Sequence, residues 1–225
     1  MRAVSWNVNG LRAVARKGIL PWDVVPGADL VALQEIKATV DQIGELAEPD
    51  GWHATWFSAR KPGYSGTALL SRQKPDEVIT GMGVDEFDAE GRTVAMRFGS
   101  LVAISAYFPN SQEFGARIAY KLGYCAAMEA FLAAWRAKGC ETLLLGDYNI
   151  AHQPIDLARP AENEGNPGYL PQERAWFGRY LGLGYRDVFR ERNPALAGAY
   201  SWWTYRAGAR ARNVGWRIDY ATVSP

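Results

Sequence analysis

The 225-residue chain sets 25 Lys and Arg against 24 Asp and Glu, a formal net charge of +1, with 48% apolar and 22% charged residues. That balance excludes a disordered chain and a polycationic tail protein. It does not exclude a nucleic-acid enzyme, which needs a local basic patch rather than a basic total. The length suits one domain. No run of about 18 apolar residues offers a membrane span, and residues 1–20 lack the apolar core of a signal peptide. Cys125 and Cys140, with no CxxC and no nearby His pair, fit a reducing cytosol. A cytoplasmic monomer is the expectation, nucleoid-associated if the source is bacterial.

In chain order, Arg2–Asn7 reads as a strand, Gly10–Lys17 as a helix and Asp29–Glu35 as a buried strand. Trp52–Ser58 and Gly66–Arg72 read as strands around the turn-rich KPGYSG. Thr93–Phe98 alternates and Leu101–Phe108 follows Gly99-Ser100, a hairpin pattern. Residues 112–138 carry Ile118, Leu122, Cys125, Met128 and Leu132 at helical spacing, and Gly139 suits the end. Glu141–Gly146 is a further buried strand. The stretch 151–171, rich in Pro, Asn and Gly, is long for a plain connection and so a functional candidate. A helix begins at Pro171 and runs to about Leu181, and Trp216–Val223 is the last strand. Strands alternating with helices, and polar residues at strand ends, indicate a layered α/β domain with its site at a sheet edge.

Asn7, Glu35, Asp147 and Asn149 are the strand-end residues with chemistry. Asp147 and Asn149, two apart, point the same way on an extended backbone. Glu35 ends an apolar strand, where a charge needs water or a cation. Two carboxylates and two carboxamides are hard oxygen donors suited to Mg²⁺ or Mn²⁺. Taken singly, each has the bland reading of a polar turn.

SWNVNGLRA (5–13), LQEIK (33–37), YSGTALLSR (64–72), YFPN (107–110), GDYNIAHQPIDL (146–157), PQERAWF (171–177), SWWTYR (201–206) and NVGWRIDY (213–220) follow one another. In kind and order they resemble the exonuclease III family of abasic-site DNA endonucleases, within the endonuclease/exonuclease/phosphatase superfamily. The resemblance implies a four-layered α/β sandwich, two mixed β-sheets packed face to face with helices outside, as a single domain over 1–225. It implies Glu35 as principal metal ligand with Asn7 beside it, Asp147 as the group that aligns the attacking water, and Asn149 as its orienting neighbour. Tyr107 matches a phosphate-side tyrosine, and Asp219 the partner of a catalytic histidine. That histidine belongs to a Ser-Asp-His motif on a final strand. The motif is not among these residues, whose only histidines are His53 and His152. The expectation is therefore a domain without the family's last strand, with impaired catalysis in this form.

By the same resemblance Trp202, Trp216 and Ile218 form a small apolar pocket for a flipped-out abasic sugar, against the bland reading of core packing. Regular alternation would put Trp216 and Ile218 opposite Asp219, so the chain must bend there or Ile218 must be partly core. Arg12, Arg206 and Arg210, with Asn163, Asn166 and Tyr169 of the long loop, resemble DNA-backbone contacts. Arg16, Lys17, Arg117, Lys121, Arg212 and Arg217 complete the expected basic face, opposed by an acidic back. Leu170 stands where many relatives have Thr before PQER, losing a helix cap. Glu113 stands where some relatives insert arginine into DNA. The implied partner is duplex DNA with abasic sites and the implied cofactor Mg²⁺. A superfamily phosphatase on a small phosphate ester and an inactive DNA-binding relative remain open alternatives.

Overall fold

The computed structural model describes residues 1–225. In chain order it contains β1 (Ala3–Asn7), α1 (Leu11–Ala15), β2 (Leu30–Gln34), α2 (Val40–Ile43), β3 (His53–Phe57), β4 (Thr67–Ser71), β5 (Glu77–Thr80), α3 (Asp85–Asp88), β6 (Thr93–Phe98), β7 (Leu101–Tyr107), α4 (Ile118–Ala137), β8 (Glu141–Asp147), α5 (Pro171–Gly182), β9 (Arg186–Asp187), α6 (Val188–Arg192) and β10 (Asp219–Val223). The residues gather into two compact units, Met1–Tyr107 with Ala130–Asp147, and Phe108–Glu129 with Tyr148–Pro225. No helix is long and apolar enough to cross a membrane.

The first unit holds two mixed sheets. One has the order β1-β2-β4-β3, parallel between β1 and β2 and antiparallel beyond. The other places β5, β6, β7 and β8 side by side, antiparallel up to the parallel β7–β8 pair. The unbroken apolar run of β2 requires burial on both faces. Val31 and Leu33 pack with Val8, Leu11, Trp22 and Ile43. On the opposite face the Gln34 amide donates to Ser105 Oγ of β7 at 3.1 Å. Ser105 in turn donates to the Leu33 carbonyl at 3.2 Å, so a satisfied polar link ties the two sheets face to face inside the core. Gly146 faces Ala106 across β7 and β8. A Cβ at Gly146 would stand 1.8 Å from the Ala106 carbonyl oxygen, so only glycine fits there.

The second unit is organised by α5 and stacked aromatic rings. Phe108 lies 4.3 Å from Tyr148, and Trp176 lies 5.4 Å from Tyr180. β9 and β10 pair antiparallel. Lys121 is not part of a basic surface: it is fully buried. Its Nζ donates to Glu173 Oε1 at 2.7 Å and to the Asn149 carbonyl at 2.6 Å. The Ser111 hydroxyl donates to the same Glu173 oxygen at 2.6 Å. Glu173 Oε2 accepts the Leu170 N–H at 2.9 Å, which serves the start of α5 where the Leu170 side chain cannot.

Two boundaries differ from the sequence reading by three residues or more, and several short elements are not expected from it. α4 begins at Ile118 rather than 112, because Gln112, Phe114 and Gly115 have φ of 59°, 56° and 69° and form a left-handed turn. The last strand begins at Asp219 rather than Trp216. The short α2, β5, α3, β9 and α6 escape notice, each having five residues or fewer and no room for a period.

Removing Lys121 leaves Glu173 charged and buried. Lys121→Ala is expected to lower stability by about 3–5 kcal/mol, the usual cost of breaking a buried pair, measured by urea denaturation. His152 in the same unit packs at a tilt against Phe177, ring centroids 4.8 Å apart. Burial pulls its imidazole below the ordinary histidine range, with Asp156 and Asp187 opposing. The unfolded chain therefore takes up this proton first, so the His152 contribution to stability is present above about pH 6.5 and is lost as the pH falls through that value. His152→Phe is expected to flatten the pH dependence of the melting temperature between pH 7 and 5.

Candidate active site

Four strand ends meet in the first unit. Asn7 closes β1, Glu35 follows β2, and Tyr107 and Asp147 are paired neighbours at the ends of β7 and β8. The parallel pairs β1–β2 and β7–β8 put all four at carboxyl ends, the edge where α/β sheets gather function. Asn7 Nδ2 donates to Asp147 Oδ2 at 2.9 Å and to Glu35 Oε1 at 3.3 Å. The Tyr107 hydroxyl donates to Glu35 Oε1. Lys37 Nζ lies 2.7 Å from Glu35 Oε2 and 2.5 Å from Asn9 Oδ1. Asn7 Oδ1 accepts the Asn9 N–H at 2.9 Å. In this arrangement Asn7 turns its nitrogen, not its oxygen, toward the carboxylates.

Backbone strain supports the geometry. Asn9, Glu35 and Lys37 have φ of 46°, 53° and 51°, a left-handed conformation that costs on the order of 1–3 kcal/mol at a non-glycine residue. It is held by neighbours: Gly10 N–H donates to the Glu35 carbonyl at 2.7 Å, and Lys37 N–H to the Ser65 carbonyl at 2.9 Å.

The electrostatics follow. Burial alone would raise the Glu35 carboxyl, but hydrogen bonds from Lys37 and Tyr107 and the Lys37 charge hold it below the usual carboxylate range. Burial first, then the Glu35 and Asp147 charges, push the Tyr107 phenol well above the tyrosine range. Tyr107 is thus a proton-bearing donor at neutral pH. Behind it Arg92, almost fully buried, donates to the Tyr107 carbonyl at 2.9 Å, to Tyr64 Oη at 3.0 Å and to Glu90 Oε2 at 2.6 Å. Its guanidinium lies 4.7 Å from the Tyr107 ring centroid. Lys37, Tyr64, Glu90 and Arg92 are absent from the sequence-derived site. Lys37 and Tyr64 lie inside the quoted LQEIK and YSGTALLSR motifs, and Arg92 has no local signal.

No group of three or more His, Cys, Asp and Glu is gathered anywhere, so no closed metal cage exists. The donors fit a hard divalent cation nonetheless. Glu35 and Asp147 set two negative charges against one ammonium, and Mg²⁺ typically takes one or two carboxylates and keeps several waters.

The remaining sequence candidates, Arg12 apart, lie in the second unit. Asn149 (φ 51°) donates to the Phe108 carbonyl at 2.9 Å and accepts from Asn110 Nδ2 at 3.2 Å. Trp216 lies edge-on to Trp202 and to Tyr169, at 6.5 and 6.3 Å. Trp216 and Tyr169 form a small apolar cluster with Ile218, Leu157 and Ala151, while Trp202 stays 44% exposed. Asn163 turns inward, donating to the carbonyls of Ala158 and Arg159, and accepts from the exposed Asn166 at 3.1 Å. Arg206, Arg210 and Arg212 are exposed, as is Arg12 in the first unit. Arg217 departs from the expected basic face. It is buried, pairing through Nε with Asp156 at 2.8 Å and through Nη2 with Asp187 at 2.7 Å, while Arg190 meets Asp156 at 2.6 Å.

Comparisons with known proteins agree with this picture. The Endonuclease/Exonuclease/phosphatase family pattern matches residues 4–225. An exodeoxyribonuclease of Bacillus subtilis is 46% identical over the whole chain and 88% of its own length. The DNA repair nuclease APEX1 of Danio rerio is 38% identical, over the whole chain and 73% of its own. The structure of a 3'-5' exonuclease from Neisseria meningitidis superposes with a TM-score of 0.87 at 30% identity, covering the whole chain and 87% of that protein. The fold is a four-layered α/β sandwich, and the chain belongs to the Endonuclease/Exonuclease/phosphatase family.

Proposed function

We propose that this chain is a DNA repair nuclease that hydrolyses the phosphodiester 5′ to an abasic site in duplex DNA, leaving a 3′-hydroxyl. 3′-Phosphodiesterase and 3′→5′ exonuclease action would be further activities of the same site. The observation that carries the reading is the Asn7 amide spanning Glu35 and Asp147, with the Tyr107 hydroxyl on Glu35. The names of the relatives support it.

Each residue has a task in phosphodiester hydrolysis. Asp147, oriented by Asn7, accepts a hydrogen bond from the attacking water and takes its proton. Tyr107, kept protonated, can donate to a phosphate oxygen as charge develops there. Arg92 fixes the Tyr107 backbone and ring from behind. A divalent cation, Mg²⁺ or Mn²⁺, held by the Glu35 and Asp147 carboxylates that the Asn7 amide spans, would neutralise charge on the phosphate and on the departing oxygen. Neither histidine stands in for the family's catalytic histidine: His53 lies exposed on β3, and the His152 ring packs at a tilt against Phe177. Trp202, Trp216 and Ile218 offer a wall that accepts a baseless sugar and excludes a nucleotide by size. Arg206 and Arg210 supply phosphate contacts.

Metal-dependent cleavage of a duplex with one abasic analogue, compared with the intact duplex and a phosphoinositide, tests the reading. Cutting confined to the lesion duplex is expected; equal hydrolysis of the phosphoinositide overturns it. Tyr107→Phe is expected to lower kcat on the order of 10²-fold, as loss of one preorganised donor does, in a single-turnover cleavage assay. Arg210→Ala is expected to weaken binding to lesion and intact duplexes alike, and to reduce the slope of log affinity against log salt by about one.

A further inference from the structure

The backbone between Arg217 and Asp219 breaks the alternation of a strand. The N–H groups of Ile218 and Asp219, consecutive in sequence, both donate to Ser201 Oγ, each at 3.1 Å. Successive amides of an extended strand point to opposite sides, so two aimed at one oxygen define a bend. β10 begins only at Asp219, and Trp216 makes an isolated bridge before the bend.

Both flanks of the bend are fixed. Upstream, the Trp216 carbonyl accepts the N–H groups of Ser201 and Trp202, each at 2.9 Å, and Trp216 N–H donates to the Trp202 carbonyl at 2.8 Å. Arg217 N–H donates to the Asp156 carbonyl at 2.7 Å, and its side chain is clamped between Asp156 and Asp187. Three buried charges are a poor source of stability once desolvation is counted. What they do provide is register: a one-residue slip would drive Arg217 out of its carboxylates and turn Trp216 and Ile218 to the other side. Downstream, the Ile218 carbonyl accepts the Tyr148 N–H at 2.8 Å.

We infer that Ser201 is a positioning residue. Its hydroxyl oxygen turns the chain at Ile218–Asp219, against the register held by Arg217, and so sets the direction of the Asp219 carboxylate relative to the Trp216–Ile218 wall. The inference rests on the proposed nuclease reading, in which the wall holds the sugar beside Asp219, the residue that the family resemblance matches to the partner of its catalytic histidine. Ser201 makes no contact with reacting groups in this role; it acts through two backbone amides. Alanine removes the shared acceptor and threonine keeps it.

The test compares the unaltered chain with Ser201→Ala and Ser201→Thr. Amide hydrogen exchange at Ile218 and Asp219 is read by NMR, and kcat and KM are read on an abasic-analogue duplex. In Ser201→Ala, exchange at both amides is expected to accelerate at least tenfold. kcat is expected to fall on the order of tenfold, as modest misplacement does, while KM stays within about twofold. Ser201→Thr is expected to restore both readouts. Unchanged exchange at the two amides in Ser201→Ala overturns the inference, and so does altered exchange with unchanged kcat. Equal losses in melting temperature, kcat and KM that threonine fails to restore also overturn it, in favour of a merely structural serine. If the unaltered chain ignores the lesion duplex, the nuclease reading fails and the positioning role falls with it, while the exchange data still decide whether Ser201 makes the bend.

Discussion

Glu35 and Asp147 come from different sheets, and one amide joins them. Asn7 Nδ2 reaches both carboxylates, at 3.3 and 2.9 Å, and so holds the ends of β1, β2 and β8 together. Two carboxylates brought this close repel unless donors stand between and around them. The amide, the Tyr107 hydroxyl and the Lys37 ammonium are those donors. The rest of the unit serves that meeting. The Gln34–Ser105 link fixes the two sheets against each other one residue before Glu35 and two before Tyr107. The bare Gly146 lets β8 approach β7 beside Asp147. The left-handed backbones of Asn9, Glu35 and Lys37 turn the chain sharply at the strand ends.

The second unit relies on buried ions of another kind. Lys121–Glu173 and the Asp156–Arg217–Asp187–Arg190 group are each formally neutral and nearly dry. Their common feature is that each grips backbone in a sequence motif. Lys121 Nζ holds the Asn149 carbonyl, Glu173 the start of α5, and Arg217 the segment that carries Trp216 and Ile218 into β10. Apolar packing could supply comparable stability, but it would tolerate sliding. Charges that find partners in only one register do not.

Most of the fold was legible in the sequence, because the longer strands carry a period. Thr93–Phe98 and Leu101–Tyr107 form the expected hairpin, and the strand-end Asn7, Glu35 and Asp147 do converge. What escaped lies beyond a local pattern. Arg92 reads as one more charge until its contacts with Tyr64 and Tyr107, 28 and 15 residues away, are seen. Lys121 looks like a solvated helix residue, since its partner Glu173 is 52 residues distant. The helical spacing beginning at 112 was real in apolar content, but left-handed turns at Gln112 and Phe114 delay the helix to Ile118. The bend between Trp216 and Asp219 was required by the roles assigned to its neighbours, yet its cause, a serine 17 residues upstream, has no signature in the strand itself.

Charge shows the same dependence on context. Residues 201–217 contain four arginines and no acid, and a count from sequence would give DNA four cations. Arg217 is spent inside the protein on Asp156 and Asp187, which leaves Arg206, Arg210 and Arg212 exposed. Each neutralised phosphate adds about 0.9 to the salt exponent on duplex DNA, so burying one arginine removes about that much from the largest electrostatic effect this segment can have. The same burial fixes the Trp216–Ile218 wall. One arginine of the four has thus been moved from attraction to alignment. Affinity for phosphate is shared by every stretch of duplex; in the function proposed above, the aligned apolar wall would respond to a sugar that lacks its base, so the exchange would favour discrimination over binding strength.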